Sequence, residues 1–211
     1  MTTGPRVLAC LALLACSGVV HADARTENLF GAIHIDGKKA GQIHYTVQYG
    51  DGGDVETLRT RASLSILGVK LFNFEQSLHE EWHHGALRRM RGRTDDNGTV
   101  YDAVLERGPA GYTATLNGKP VSLPADAFPA SIWHYGIHDH TLLFDLKSFA
   151  LMRVKITKAP ETLKIDKRAI PTERFELTGD WTATAWFDAR KQLVQFRYVL
   201  DGHEVLVRLS D

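Results

Sequence analysis

Two short segments hold the residue types that do chemistry. The first is Trp133-His134-Tyr135-Gly136-Ile137-His138-Asp139-His140. In an extended chain His138 and His140 project to one side, a spacing that suits two imidazoles on one metal. A bend at Gly136 would add His134 as a third ligand. The chemistry would then be metal-assisted, through a divalent ion such as zinc, while Asp139 faces away from the pair. The plainer alternative is a polar loop with solvated histidines. The second segment is His79-Glu80-Glu81-Trp82-His83-His84. On a strand, Glu80, Trp82 and His84 share one face, and His79, Glu81 and His83 share the other. Glu80 or Glu81 would act as proton-transfer partner only where the fold brings it within hydrogen-bond reach of the imidazoles. The four tryptophans, Trp82, Trp133, Trp181 and Trp186, are candidates for lining an apolar cavity, since they combine large apolar area with a polar N–H. Core packing is the alternative role for them.

Other chemistries are excluded more firmly. Ser63, Ser65 and Ser77 lack the flanking glycines of a nucleophile elbow. There is no Gly-rich phosphate loop and no dinucleotide fingerprint. Thr94-Asp95-Asp96-Asn97-Gly98 lacks the spacing and terminal Glu of a calcium loop and reads as a hairpin turn. The basic run Arg88-Arg89-Met90-Arg91-Gly92-Arg93 alternates along a strand, which divides its charges between two faces. With 25 basic side chains against 25 acidic ones, nothing in the charge balance suggests a nucleic-acid partner.

The elements that must position these residues are strands. Ile43, Tyr45, Val47 and Tyr49 alternate with Gln42, His44, Thr46 and Gln48, and Val205, Val207 and Leu209 alternate with Glu204 and Arg208. Met152, Val154 and Ile156, and Val194, Phe196, Tyr198 and Leu200, follow the same period. Asp36-Gly37, Asn97-Gly98, Asn117-Gly118 and Asp201-Gly202 supply two-residue hairpin turns between such runs. About a dozen strands joined by tight turns predict an all-β, mainly antiparallel meander. A meander this long must curl, into a half-barrel or a closed barrel, because long flat edges aggregate. One short helix is expected over 128–135, after Pro124 and Pro129.

Residues 1–22 read as a secretory signal: Arg6, an apolar run from Val7 to Ala15, and a cleavage site at Val20-His21-Ala22. Export to a periplasm or beyond the cell follows, with residues 23–211 as a single β-rich domain. A lipoprotein variant, anchored through Cys16 in Leu13-Leu14-Ala15-Cys16, is the alternative. Both cysteines, Cys10 and Cys16, lie in this leader, so thiol catalysis is excluded for the mature chain. No other segment is long and apolar enough to span a bilayer as a helix.

An ordered set of short motifs carries a family resemblance. Gly37-Lys38-Lys39-Ala40-Gly41, Trp82-His83-His84-Gly85-Ala86-Leu87, Thr94-Asp95-Asp96-Asn97-Gly98, Pro129-Ala130-Ser131-Ile132-Trp133, Arg174-Phe175, Leu177-Thr178-Gly179-Asp180 and Trp186-Phe187-Asp188 occur in that order. The set resembles an exported bacterial family known as domain of unknown function 6134, over roughly residues 28–209. The resemblance implies no activity. It implies kinship with periplasmic half-barrels, including lipoprotein carriers that hold acyl chains against a curved sheet, and so favours an apolar or amphiphilic ligand. His138 and His140 are not among its motifs. The leading expectation is therefore a binding or carrier protein that needs no cofactor. The alternatives are an enzyme using His134, His138 and His140, and an envelope assembly factor that meets a protein partner through a strand edge.

Overall fold

The computed structural model describes residues 25–51, 53–66 and 69–210. The leader expected over 1–22, with its Cys16 alternative, lies outside these residues. Fifteen strands follow in chain order: β1 (Arg25–Ile35), β2 (Lys38–Tyr49), β3 (Asp54–Ile66), β4 (Val69–His83), β5 (Ala86–Asp96), β6 (Thr99–Gly108), β7 (Gly111–Leu116), β8 (Lys119–Val121), β9 (Phe128–Pro129), β10 (Leu142–Phe144), β11 (Leu151–Ile165), β12 (Arg168–Gly179), β13 (Ala183–Phe187), β14 (Leu193–Leu200) and β15 (His203–Ser210). They form one sheet in the order β8-β7-β6-β5-β4-β3-β2-β1-β15-β14-β13-β12-β11-β10-β9. Every neighbouring pair is antiparallel except β9 with β10. The chain walks outward from β1 to β8, crosses a seam, and returns from β9 to β15, which closes against β1. Among the described residues no ladder joins β8 to β9, so the sheet is a curled half-barrel and the closed-barrel alternative does not hold.

Local chemistry explains the meander. Asn97 and Gly98 (φ 53° and 88°) and the Asp36-Gly37, Asn117-Gly118 and Asp201-Gly202 pairs all take the positive φ of two-residue hairpin turns. His84-Gly85 does the same between β4 and β5, so His84 is a turn residue rather than part of a strand face. The alternating apolar residues face inward as expected: Ile43, Tyr45 and Val47 of β2 and Val205, Val207 and Leu209 of β15 are buried. Register shifts between Ile33 and His34 and between Glu81 and Trp82 mark bulges that strengthen twist and curl.

A curled sheet this wide encloses more volume than its own inward side chains occupy. The segment between β8 and β11 fills it: Phe128, Ile132, Trp133, Ile137, Phe144 and Phe149 are all buried within the main core. The helix expected over 128–135 is not there. Pro129 disfavours the helical region for Phe128, and both residues pair in parallel with Leu143 and Phe144. Helical turns begin later, as a 3-10 helix over Tyr135–Asp139 whose cap, His134, accepts the Gly136 N–H on Nδ1 at 3.2 Å.

Gly41 is one place where the sheet tolerates no side chain. It pairs with Ile33 and with Ala62, and a Cβ there would lie 2.1 Å from the Arg61 carbonyl oxygen and 2.6 Å from Ala62 Cα. Gly41→Ala is expected to lower unfolding stability by about 1–3 kcal/mol, the usual cost of overpacking. An unchanged urea midpoint would show that β2 and β3 separate there without strain.

Candidate functional site

The centre of the interior is a carboxylate. Glu80 of β4 points inward and is 1% exposed. Its Oε1 accepts the Ser131 hydroxyl at 2.7 Å, and its Oε2 accepts the indole N–H groups of Trp82 and Trp133, each at 3.3 Å. Trp82 belongs to the same strand, two residues on. Ser131 and Trp133 come from the inserted segment, so this one carboxyl fastens that segment to the sheet.

A second carboxyl stands directly across. Glu56 of β3 is the cross-strand partner of Glu80, is 6% exposed, and leaves Oε2 buried without a hydrogen-bond partner. Burial and the neighbouring Glu80 charge both push Glu56 well above the usual carboxylate range. Glu80 is raised to about 7, again by burial, with its three donors pulling the other way. Two carboxyls facing each other in a dry interior cannot both ionise cheaply, so the pair holds a proton more firmly than an isolated carboxyl would. Tyr45, on the same inner face, is raised by burial and by the Glu56 charge.

The imidazoles do not assemble a metal site. His134 stacks on Trp82 with ring centroids 3.9 Å apart, and burial lowers it to about 4. His140 stacks on Phe128 at 3.9 Å. His138 turns Nδ1 toward the Tyr135 carbonyl at 2.8 Å, which calls for an N–H there, and Nε2 toward Asp139 at 3.3 Å. The segment is a 3-10 turn, so a two-residue spacing does not align His138 with His140. Among the described residues no group of three or more His, Cys, Asp or Glu is placed to hold a metal ion. The two glutamates are also divided: Glu80 meets the inserted segment, while Glu81 lies on the other face beside His79 and Arg89.

The tryptophans divide as well. Trp82 and Trp133 bind Glu80, and Trp133 and Trp181 wall a cavity of about 330 Å³ between the sheet and the inserted segment. Trp186 faces away, packed on Leu163 and Ile165, with its N–H on Glu161 at 3.2 Å. Phe74, Met152, Phe196 and Tyr198 complete the apolar wall of the cavity. At its rim Lys147 pairs with Asp96 at 2.5 Å, with Asp145 nearby. Sequence reasoning passed over Glu56, Ser131 and Tyr45. The parity of β3 carries the missed signal for Glu56, which shares its face with Leu58 and Ala62.

The fold and its filled interior define a β-barrel-like protein of one curled antiparallel sheet. The chain belongs to the family described as domain of unknown function (DUF6134), whose model matches residues 32–210. Among solved structures it is similar to a beta-barrel-like protein of domain of unknown function DUF1849 from Brucella abortus, with TM-score 0.62 at 9% identity over 89% of this chain and 96% of that one. A DUF1089 family protein from Pseudomonas aeruginosa aligns over 90% of this chain and 95% of its own, at 9% identity and TM-score 0.39. No curated protein matches the chain. No helix among the described residues is long and apolar enough to cross a membrane.

The raised Glu80 has a thermodynamic signature. Its folded value of about 7 lies above the unfolded 4.5, so between these values the folded state holds the extra proton. Its contribution to stability therefore rises as pH falls through that window, and Glu56 acts in the same direction. His134 acts in the opposite one, because its lowered value makes acid unfold the protein between 6.5 and about 4. Comparison with Glu80→Gln removes the histidine contribution. The amide retains a carbonyl for both indoles and an N–H for Ser131. Urea unfolding from about pH 5 to about pH 8 should show the wild type losing stability relative to Glu80→Gln as pH rises. A pH-independent difference would mean that Glu80 is ionised throughout. Glu80→Ala, which strands two indole donors and a hydroxyl, should cost about 3 kcal/mol or more.

Proposed function

We propose that the protein is an exported, periplasmic binding or carrier protein that holds an apolar or amphiphilic molecule in the cavity beside Trp133 and Trp181. The cavity itself carries the reading. About 330 Å³ is at the small end of ligand pockets, and a lining of aromatic and aliphatic side chains with a few polar groups at one end is what such pockets share. Its rim suits an amphiphile: Lys147, Asp96 and Asp145 offer polar contacts, while Val199 and Leu200, which also line the cavity, are 61% and 40% exposed.

The envelope-factor reading would use strand edges, and these are poorly suited to strand addition. The terminal strands β8 and β9 are three and two residues long, and each contains a proline, Pro120 and Pro129. Past Val154, β11 continues as an outer strand paired with β12 alone, and carries Lys155, Lys158, Pro160 and Lys164. Lysine and proline along an edge oppose pairing with another chain. The metal-enzyme reading would need three ligating groups placed around one ion, and among the described residues no such group of His, Cys, Asp or Glu is found.

Native mass spectrometry of protein taken from its own periplasm, with and without chelator, is the direct test. A bound mass in the lipid range that survives chelation is expected. In parallel, a solvatochromic apolar dye should brighten on binding, quench Trp133 and Trp181, and be displaced by a medium-chain fatty acid. Ala130→Phe, which fills the cavity from its half-buried wall, should reduce dye uptake roughly tenfold if the added ring occupies the ligand's volume. A wild type that takes up no dye and carries no lipid would overturn the carrier reading, and a metal-sized mass removed by chelator would revive the enzyme.

A further inference from the structure

The polar groups that line the interior cavity are of two kinds, and together they say what head a ligand must carry. The first kind is neutral and unused. Strand register sets Thr60 opposite Gln76 and Gln76 opposite Thr94, one inward-facing polar row across the sheet floor. Gln76 donates Nε2 to Thr94 Oγ1 at 3.0 Å, and among the described residues nothing donates to its Oε1. Thr60 and Tyr198 also line the cavity, and among the described residues neither hydroxyl has a hydrogen-bond partner. Burial and the Asp96 charge push the Tyr198 phenol up to about 12, so it stays an O–H donor at any physiological pH.

The second kind is charged and already committed. Lys147 at the rim bonds Asp96 at 2.5 Å, and its Nζ lies 5.6 Å from the centroid of the Tyr101 ring. Burial opposes the Lys147 charge, but the Asp96 bond and the charges of Asp96 and Asp145 hold it above the usual lysine value. Asp145 also faces the cavity, accepting the Lys147 and Ser148 backbone N–H groups on Oδ1 at 3.1 and 2.8 Å. Two carboxylates therefore stand against one ammonium at the mouth. An anionic head arriving there finds no free cation and meets two like charges, in surroundings drier than bulk water.

We infer that the cavity selects an uncharged, alcohol-headed amphiphile over a fatty-acid anion, with Thr60, Gln76 and Tyr198 bonding the hydroxyl and with Asp96 and Asp145 turning the anion away. A hydroxyl is both donor and acceptor, so it accepts from Tyr198 or Thr60 and donates to Gln76. A carboxylate only accepts and an ammonium only donates, and either leaves part of this set desolvated and unpaired. The inference rests on the carrier reading of the same cavity and adds the head group that reading leaves open.

Displacement of the apolar dye by decanol, decylammonium and decanoate tests it on the purified protein. Decanol should displace the dye at about tenfold lower concentration than decanoate, with decylammonium between them. Apolarity alone also favours an alcohol over an anion, so the variants decide. Asp96→Asn releases Lys147 and removes one of the two repelling charges, and should shift the decanol-to-decanoate ratio toward decanoate by about tenfold. Thr60→Val and Tyr198→Phe keep the side-chain shape and remove one hydroxyl each. Each should weaken decanol about three- to tenfold relative to the dye, the scale of one hydrogen bond. The inference alone is overturned if the dye binds but decanoate competes as well as decanol, if decylammonium competes best, or if these ratios are the same in every variant. A protein that takes up no dye overturns the carrier reading and this inference together.

Discussion

A carboxyl group taken out of water must find donors, and the interior of this protein is arranged around that requirement at Glu80. An ionised carboxylate there without partners would cost several kcal/mol, more than most single contacts contribute. The partners cannot all come from the sheet, because inward neighbours on β3 and β5 are apolar or, at Glu56, acidic. Ser131 and the Trp133 indole supply them instead. These donors sit 51 and 53 residues away in sequence, so satisfying one side chain of β4 fixes where the entire inserted segment must lie. The position of that segment in turn determines how Phe128, Ile137, Phe144 and Phe149 pack the half-barrel, and which wall is left for the cavity.

The sheet needs this filling. A linear order of fifteen strands has two ends, and here those ends are joined through residues 122–127 rather than by a ladder. An open seam exposes a curled sheet to water from inside unless something occupies the concave face. Using the connecting segment itself is economical in chain length and loop closure, since residues 122–127 already link β8 to β9. The short, proline-bearing terminal strands that result are also the ones least able to recruit a neighbouring chain.

Much of this was legible in the sequence, and what was not has a common cause. Hairpin turns announce themselves locally, because Asn-Gly and Asp-Gly meet a positive-φ demand within two residues. Strand faces follow from alternation, which placed Glu80 and Trp82 together on one face before any partner was known. The expected 128–135 helix failed because Pro129 disfavours it at Phe128 and because Phe128 and Pro129 pair in parallel with Leu143 and Phe144, each fifteen positions along the chain and beyond what local periodicity reports. The His138–His140 alignment failed for a related reason: a two-residue spacing means one side of a strand but not of a 3-10 turn, and the turn is set by the His134 cap and the packing of Ile137. Glu56 was hidden by its type. A glutamate in an alternating strand reads as the wet face unless parity with Leu58 and Ala62 is trusted over polarity.

Trp133 shows how the electrostatic and apolar parts of the interior depend on each other. Its N–H is committed to Glu80 and its ring walls the cavity, tilted against Tyr45 at 6.0 Å. A ring held at its polar end and packed along its side has little rotameric freedom left to lose when a ligand enters, so that wall is preorganised. The same arrangement explains why so costly a group as Glu80 sits where an apolar residue would pack more simply. An apolar side chain can fill the volume, but it cannot orient two indoles and a serine hydroxyl toward one point, and without that orientation the inserted segment has no fixed register against the sheet. The carboxyl therefore specifies geometry more than it adds stability, and the cavity is the empty space that this geometry defines.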